Sequence, residues 1–144
     1  LAWPVTVAGD LGPMGEVRFA ESAGSLGPSA LAELRRSASI FTAPTAYEPF
    51  GLGILAAARE GCALVLGYIP SLRELWSDAA IFVQPGDDRA LHEVLETLIH
   101  DSDLRDELAE RAQQRAAELP IQGTARAYVS LYERLVETQA TAHL

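Results

Sequence analysis

The run Ala63-Leu64-Val65-Leu66-Gly67 constrains the fold of this chain more than any other stretch: it is apolar without a break and closed by glycine. A strand with no polar side chain has to be covered on both faces. That condition suits a parallel sheet inside an α/β domain, not a hairpin with one solvated face. The flanks agree. Residues 51–60 (Gly-Leu-Gly-Ile-Leu-Ala-Ala-Ala-Arg-Glu) read as an Ala-rich helix, and Pro70-Ser71-Leu72-Arg73-Glu74-Leu75-Trp76 as a short helix with proline at its start.

The same alternation extends along the chain. Residues 3–8 and Val17-Arg18-Phe19-Ala20 read as strands, followed by a Gly/Ser-rich connection and a helix of about ten residues opened by Pro28. Ser39–Ala43 and Ala80–Val83 are further strands. The pattern predicts an α/β fold with a Rossmann-like, doubly wound parallel sheet. After Pro85-Gly86-Asp87-Asp88 the period becomes helical. Leu91, Val94, Leu95, Leu98 and Ile99 form one stripe, Leu104, Leu108, Ala112 and Ala116 a second, and Ala125, Tyr128, Val129, Tyr132, Leu135 and Val136 a third. About three C-terminal helices therefore finish one domain over residues 1–138, with a frayed tail at 139–144. Tyr128, Tyr132 and Leu135 are expected to cover the sheet. Their alternative place is a surface toward another domain, which would promote self-association when exposed.

Composition excludes several function classes. All eleven basic residues are arginine, and twenty acidic residues bring the net charge to −9, so no nucleic acid is expected as a partner. A single cysteine, Cys62, permits no internal disulfide and fits a reducing, cytoplasmic setting. No membrane span is expected, because no apolar run approaches the required length of about 18 residues. No metal site is expected either: His92 and His100 stand about 12 Å apart along one helix. No serine lies in a nucleophile elbow, and Gly9-Asp10-Leu11-Gly12-Pro13-Met14-Gly15 has the wrong glycine spacing for a dinucleotide fingerprint. Arg35 and Arg36 read as a solvated helix face, and Asp101, Asp103, Asp106 and Glu107 as helix-start acids.

Tyr47-Glu48-Pro49-Phe50-Gly51-Leu52-Gly53 is different, since it places an acid and a glycine-rich turn between a strand end and a helix start. Ligands of open α/β sheets bind outside the carboxyl ends of the strands, and free N–H groups at a helix start attract phosphate. Phe50, Gly51, Leu52 and Gly53 offer such donors without a basic side chain, and Glu48 would meet sugar hydroxyls beside them. The plain alternative is that Glu48 caps the helix, favoured by its dipole. The segment Gly67-Tyr68-Ile69-Pro70-Ser71-Leu72-Arg73-Glu74 repeats this layout one strand later. Glu74 is there a candidate ligand contact or a simple first-turn acid.

These motifs, with Phe82-Val83-Gln84-Pro85-Gly86-Asp87 and Val7-Ala8-Gly9-Asp10, resemble in order the C-terminal half of GT-B glycosyltransferases, most closely the retaining group 1 family, also called family 4. The resemblance implies a domain that binds a nucleotide diphosphate sugar as donor substrate, without cofactor or metal, facing an N-terminal acceptor domain. By motif position it makes Glu48 the candidate catalytic residue, touching the donor sugar, and assigns the leaving diphosphate to the N–H groups of Phe50, Gly51 and Leu52. Such fixed dipoles replace a metal in stabilising developing charge. Gly9, Asp10 and Thr42–Thr45 would line the nucleotide side.

Two departures from the family pattern stand out. The family's second glutamate, eight residues after the first and clamped on the ribose, is Ala56 here. A charged hydrogen bond contributes about 1.5–3 kcal/mol, so this loss implies a roughly ten- to hundredfold weaker donor site. Glu60, one turn further on, is displaced by about 6 Å and substitutes poorly. The family's Arg and Lys before this segment are absent, and Tyr68 stands where relatives have small or acidic residues; it either stacks on a sugar or covers the loop. The expected function is the donor domain of a hexosyltransferase-type enzyme, inactive by itself. The alternatives are a degenerate, non-catalytic binding or scaffolding domain and, third, a sugar-nucleotide epimerase of the same architecture.

Overall fold

The computed structural model describes residues 1–9 and 20–141. Five strands and six helices follow in the order β1 (Thr6–Ala8), β2 (Glu21–Gly24), α1 (Pro28–Ser37), β3 (Ile40–Ala43), α2 (Leu52–Arg59), β4 (Ala63–Gly67), α3 (Pro70–Trp76), β5 (Ile81–Val83), α4 (Asp88–His100), α5 (Ser102–Ala117) and α6 (Ile121–Thr141). The α/β alternation and the three closing helices match the expected fold class.

All strand pairs are parallel, and they form two sheets among the described residues, β1-β2 and β3-β4-β5. The strand expected at 17–20 lies almost wholly outside the described residues. The second strand is Glu21–Gly24 instead, in what reads as a Gly/Ser-rich connection. Its pairing supplies what its propensity does not: the Glu21 N–H donates to the Val5 carbonyl at 2.8 Å and the Gly9 N–H to the Gly24 carbonyl at 2.9 Å. β1 is shorter than the expected 3–8. Trp3 leaves the strand and lies under the Arg105 guanidinium, 5.0 Å from its ring centre.

β4 is the buried centre, with all five residues inaccessible to solvent. Alternation sends its side chains to two cores. Leu64 and Leu66 join Ile54, Leu55, Ala57 and Ala58 of α2, Leu72 and Trp76 of α3, and Ala112 and Ala116 of α5. Ala63 and Val65 meet Val83, Leu98 and Leu108 on the opposite face. Helices therefore cover both faces, as a doubly wound sheet requires. Asp87 and Asp101 cap α4 and α5 by accepting from the Ala90 and Leu104 N–H groups, each at 2.9 Å.

Two sequence expectations are corrected. Tyr128, Tyr132 and Leu135 do not cover the sheet: all three are more than half exposed, along with Val129 and Val136. Nor is Arg35 simply solvated. Its Nε donates to Glu60 Oε2 at 3.0 Å, in a largely buried ion pair that joins α1 to the end of α2. Arg36 is exposed, as expected.

Candidate functional site

Because β3, β4 and β5 run parallel, their carboxyl ends meet at one edge of the sheet, and the loops 44–51, 68–69 and 84–87 open there. Gly51 is the N-cap of α2 and adopts φ +83°, a left-handed conformation that glycine enters without penalty. A Cβ at this position would stand 2.7 Å from Ile54 Cδ1. The turn aims main-chain N–H groups out of the helix start. Glu48 Oε1 accepts from the Gly51 N–H at 2.8 Å and from the Phe50 N–H at 3.4 Å. Leu52, Gly53 and Ile54 follow in the first turn, where helix geometry provides no intrahelical acceptor for an N–H. The loop therefore holds a carboxylate oxygen with the same donors that suit a phosphate oxygen.

Glu48 thus closes the turn at the N-cap of α2 in this state, as in the plainer of its two sequence readings, and its carboxylate sits on two of the three donors assigned to an incoming anion, Phe50 and Gly51. Ala56 is half-buried on α2, and Gly53 is exposed. Glu60 is held by Arg35, so it cannot stand in for a carboxylate at position 56. Glu74 is exposed on α3, and its side chain makes no hydrogen bond or ion pair among the described residues. Gly9 follows β1 and bonds Gly24 of β2, in the sheet separate from β3-β4-β5, and no described hydrogen bond links it to the Glu48 loop. Asp10 lies outside the described residues.

Tyr68 continues the β4–β5 ladder through its N–H to the Val83 carbonyl at 2.8 Å. The Arg73 guanidinium lies over its ring, 4.4 Å from the centre, and Phe82 packs edge-on with centroids 6.3 Å apart. Arg73 thus takes one face of the Tyr68 ring, and the side chain is still 44% exposed. Tyr47, Phe50, Leu52 and Tyr68 are exposed large apolar side chains on the two strand-end loops and the start of α2.

The sequence reading passed over two contacts that build this site. The Ser71 hydroxyl donates to the Glu48 carbonyl at 2.6 Å, joining the start of α3 to the loop after β3. A Cβ on Gly67 would lie 2.2 Å from the Thr45 carbonyl oxygen, so the two strand-end loops touch where only glycine fits. The available signals were a glycine closing an apolar strand and a serine just inside a proline-led helix. Among the described residues no group of His, Cys, Asp and Glu could hold a metal ion.

The profile described as "Glycosyl transferases group 1" matches residues 16–115, more than half the chain. D-inositol 3-phosphate glycosyltransferase of Corynebacterium urealyticum is 32% identical over 110 residues, which cover 75% of this chain and 26% of that protein. Among solved structures, sucrose-phosphate synthase of Thermosynechococcus elongatus superposes with a TM-score of 0.76 at 22% identity, over 83% of this chain and 31% of that one. Anabaena Alr3699/HepE in complex with UDP-glucose gives 0.69 at 19% identity, over 96% and 41%. The two structures share the fold, and the chain spans less than half the length of each of these relatives.

Proposed function

This chain belongs to the group 1 glycosyl transferases, and on that premise we propose that it is the donor-binding domain of an enzyme that moves a glycosyl group from a nucleotide diphosphate sugar to an acceptor with retention of configuration. One observation carries the reading: the Phe50 and Gly51 N–H groups converge on a single anionic oxygen at the carboxyl edge of a parallel sheet. The Glu48 carboxylate is the occupant here. When a donor binds, a diphosphate oxygen takes over these N–H groups and the released carboxylate turns to the sugar hydroxyls. As the bond to the sugar breaks, charge grows on the diphosphate, and the fixed dipoles of the α2 start stabilise it. The acceptor is held by a separate N-terminal domain, so the 144 residues alone bind donor without transferring it. The buried, unpaired Cys62 fits a cytoplasmic setting.

Ala56 favours a second reading, in which the domain is a non-catalytic relic serving as a binding or scaffolding module. Glu60 offers no compensation, because Arg35 holds it. Calorimetry with a panel of nucleotide diphosphate sugars tests the donor reading. Saturable binding of at least one is expected, strengthened ten- to hundredfold by Ala56→Glu. Glu48→Gln should lower affinity for the nucleotide sugar relative to its nucleotide diphosphate, since the variant loses a sugar contact while relieving competition for the N–H groups. No saturable binding by either the parent chain or Ala56→Glu would sink the donor reading. The relic reading fails if a full-length protein carrying Ala56 transfers sugar as fast as its Ala56→Glu variant.

A further inference from the structure

We infer that Ser71 is a positioning residue of this site: its hydroxyl pins the main chain of Glu48, so that the carboxylate can leave the Phe50 and Gly51 N–H groups without the loop collapsing. The inference rests on the donor-site reading above and adds a residue to it.

The Glu48 loop is held differently at its two levels. Its side chain is attached to the loop's own N–H groups, at 2.8 and 3.4 Å. Its main-chain carbonyl is attached to a different element, by the 2.6 Å bond from Ser71, 23 residues away. Pro70 and Ser71 open α3, whose Leu72 and Trp76 are anchored in the core, so the hydroxyl is presented from a rigid base. Gly67 supplies the opposing stop, because the Thr45 main chain rests directly on it. When an anion displaces the carboxylate, the internal attachment is lost and the Ser71 bond remains. Without that bond, release of the carboxylate would free the segment between Thr45 and Gly51, and anion binding would bear the entropy of ordering it again.

The test uses the chain of 144 residues with Ser71→Ala, Ser71→Thr and Ser71→Cys. The first readout is hydrogen exchange at the Phe50 and Gly51 amides, and the second is calorimetric affinity for UDP, GDP and ADP. Ser71→Ala should speed exchange at both amides roughly three- to tenfold and weaken the best-bound nucleotide by a similar factor, as expected for one lost hydroxyl–carbonyl bond. Ser71→Thr keeps the hydroxyl and should restore both values, while Ser71→Cys, with a weaker donor, should fall between. If Ser71→Ala does not fold, the ordering of serine, threonine and cysteine carries the same reading. Unchanged exchange and affinity in the alanine variant, or failure of threonine to rescue, would overturn the role of Ser71. If neither the parent chain nor Ala56→Glu binds any of the three nucleotides, the donor reading falls, whereas the pinning contact is still judged by amide exchange alone.

Discussion

Cys62 shows how a single residue acts through its surroundings. Its thiol is fully buried just before β4, with Sγ 3.3 Å from both the Arg35 and Ala38 carbonyls, which share its single S–H donor. Burial raises its pKa from the ordinary 9.0 to about 11, with Glu60 adding to the rise and Arg35 opposing it. The unfolded chain therefore ionises first. The contribution to stability is complete below pH 9 and is lost as pH climbs from about 9 through 11, on the order of 2 kcal/mol in all. Denaturant titrations across this range should show a falling midpoint in the parent chain and a flatter profile in Cys62→Ala. The sequence identifies Cys62 as a buried, small apolar position. The pH dependence requires knowing that Arg35 and Glu60 meet beside it, although they are 25 positions apart.

At the scale of elements, β4 organises the domain, since both cores are built on its two faces. Leu66→Ala removes a fully buried side chain from the core shared by α2, α3 and α5, and should destabilise the fold by about 2–5 kcal/mol in chemical denaturation. Most elements were legible because their patterns are strong: α1, α2, α3 and β4 start and stop close to where proline, glycine and apolar spacing place them. β2 was not legible. Glu21–Gly24 has weak strand propensity and is a strand because β1 lies alongside it with free backbone groups. At the site, the sequence correctly set an acid beside a glycine turn at a helix start. It left open whether the acid caps that turn or faces a ligand, because the choice depends on the rotamer Glu48 adopts in the folded loop.

For the whole molecule, α6 presents the main exposed apolar surface among the described residues. Tyr128, Val129, Leu131, Tyr132, Leu135 and Val136 lie on one side of it and are all exposed, whereas Arg126, Ser130, Glu133 and Arg134 occupy the other. The periodicity read in the sequence is real, but it has no partner among the described elements. A stripe of this kind seeks cover. The chain should therefore associate with itself as its concentration rises, and Tyr132→Ser with Leu135→Ser should suppress this. Light scattering over a concentration series checks it, and a concentration-independent monomer would count against the prediction. No helix among the described residues is long and apolar enough to cross a membrane.

By itself the sequence determined the α/β alternation, the buried central strand, the helical finish and the strand-end loop with Glu48 and Gly51. All of these follow from local period, turn chemistry and steric rules acting over a few residues. Tertiary structure alone decided which strands share a sheet, that Arg35 takes Glu60, that Ser71 holds the Glu48 carbonyl, and that the apolar stripe of α6 is left uncovered by the described residues. Those outcomes rest on contacts between residues far apart in the chain, and local pattern carries no information about which distant group will arrive.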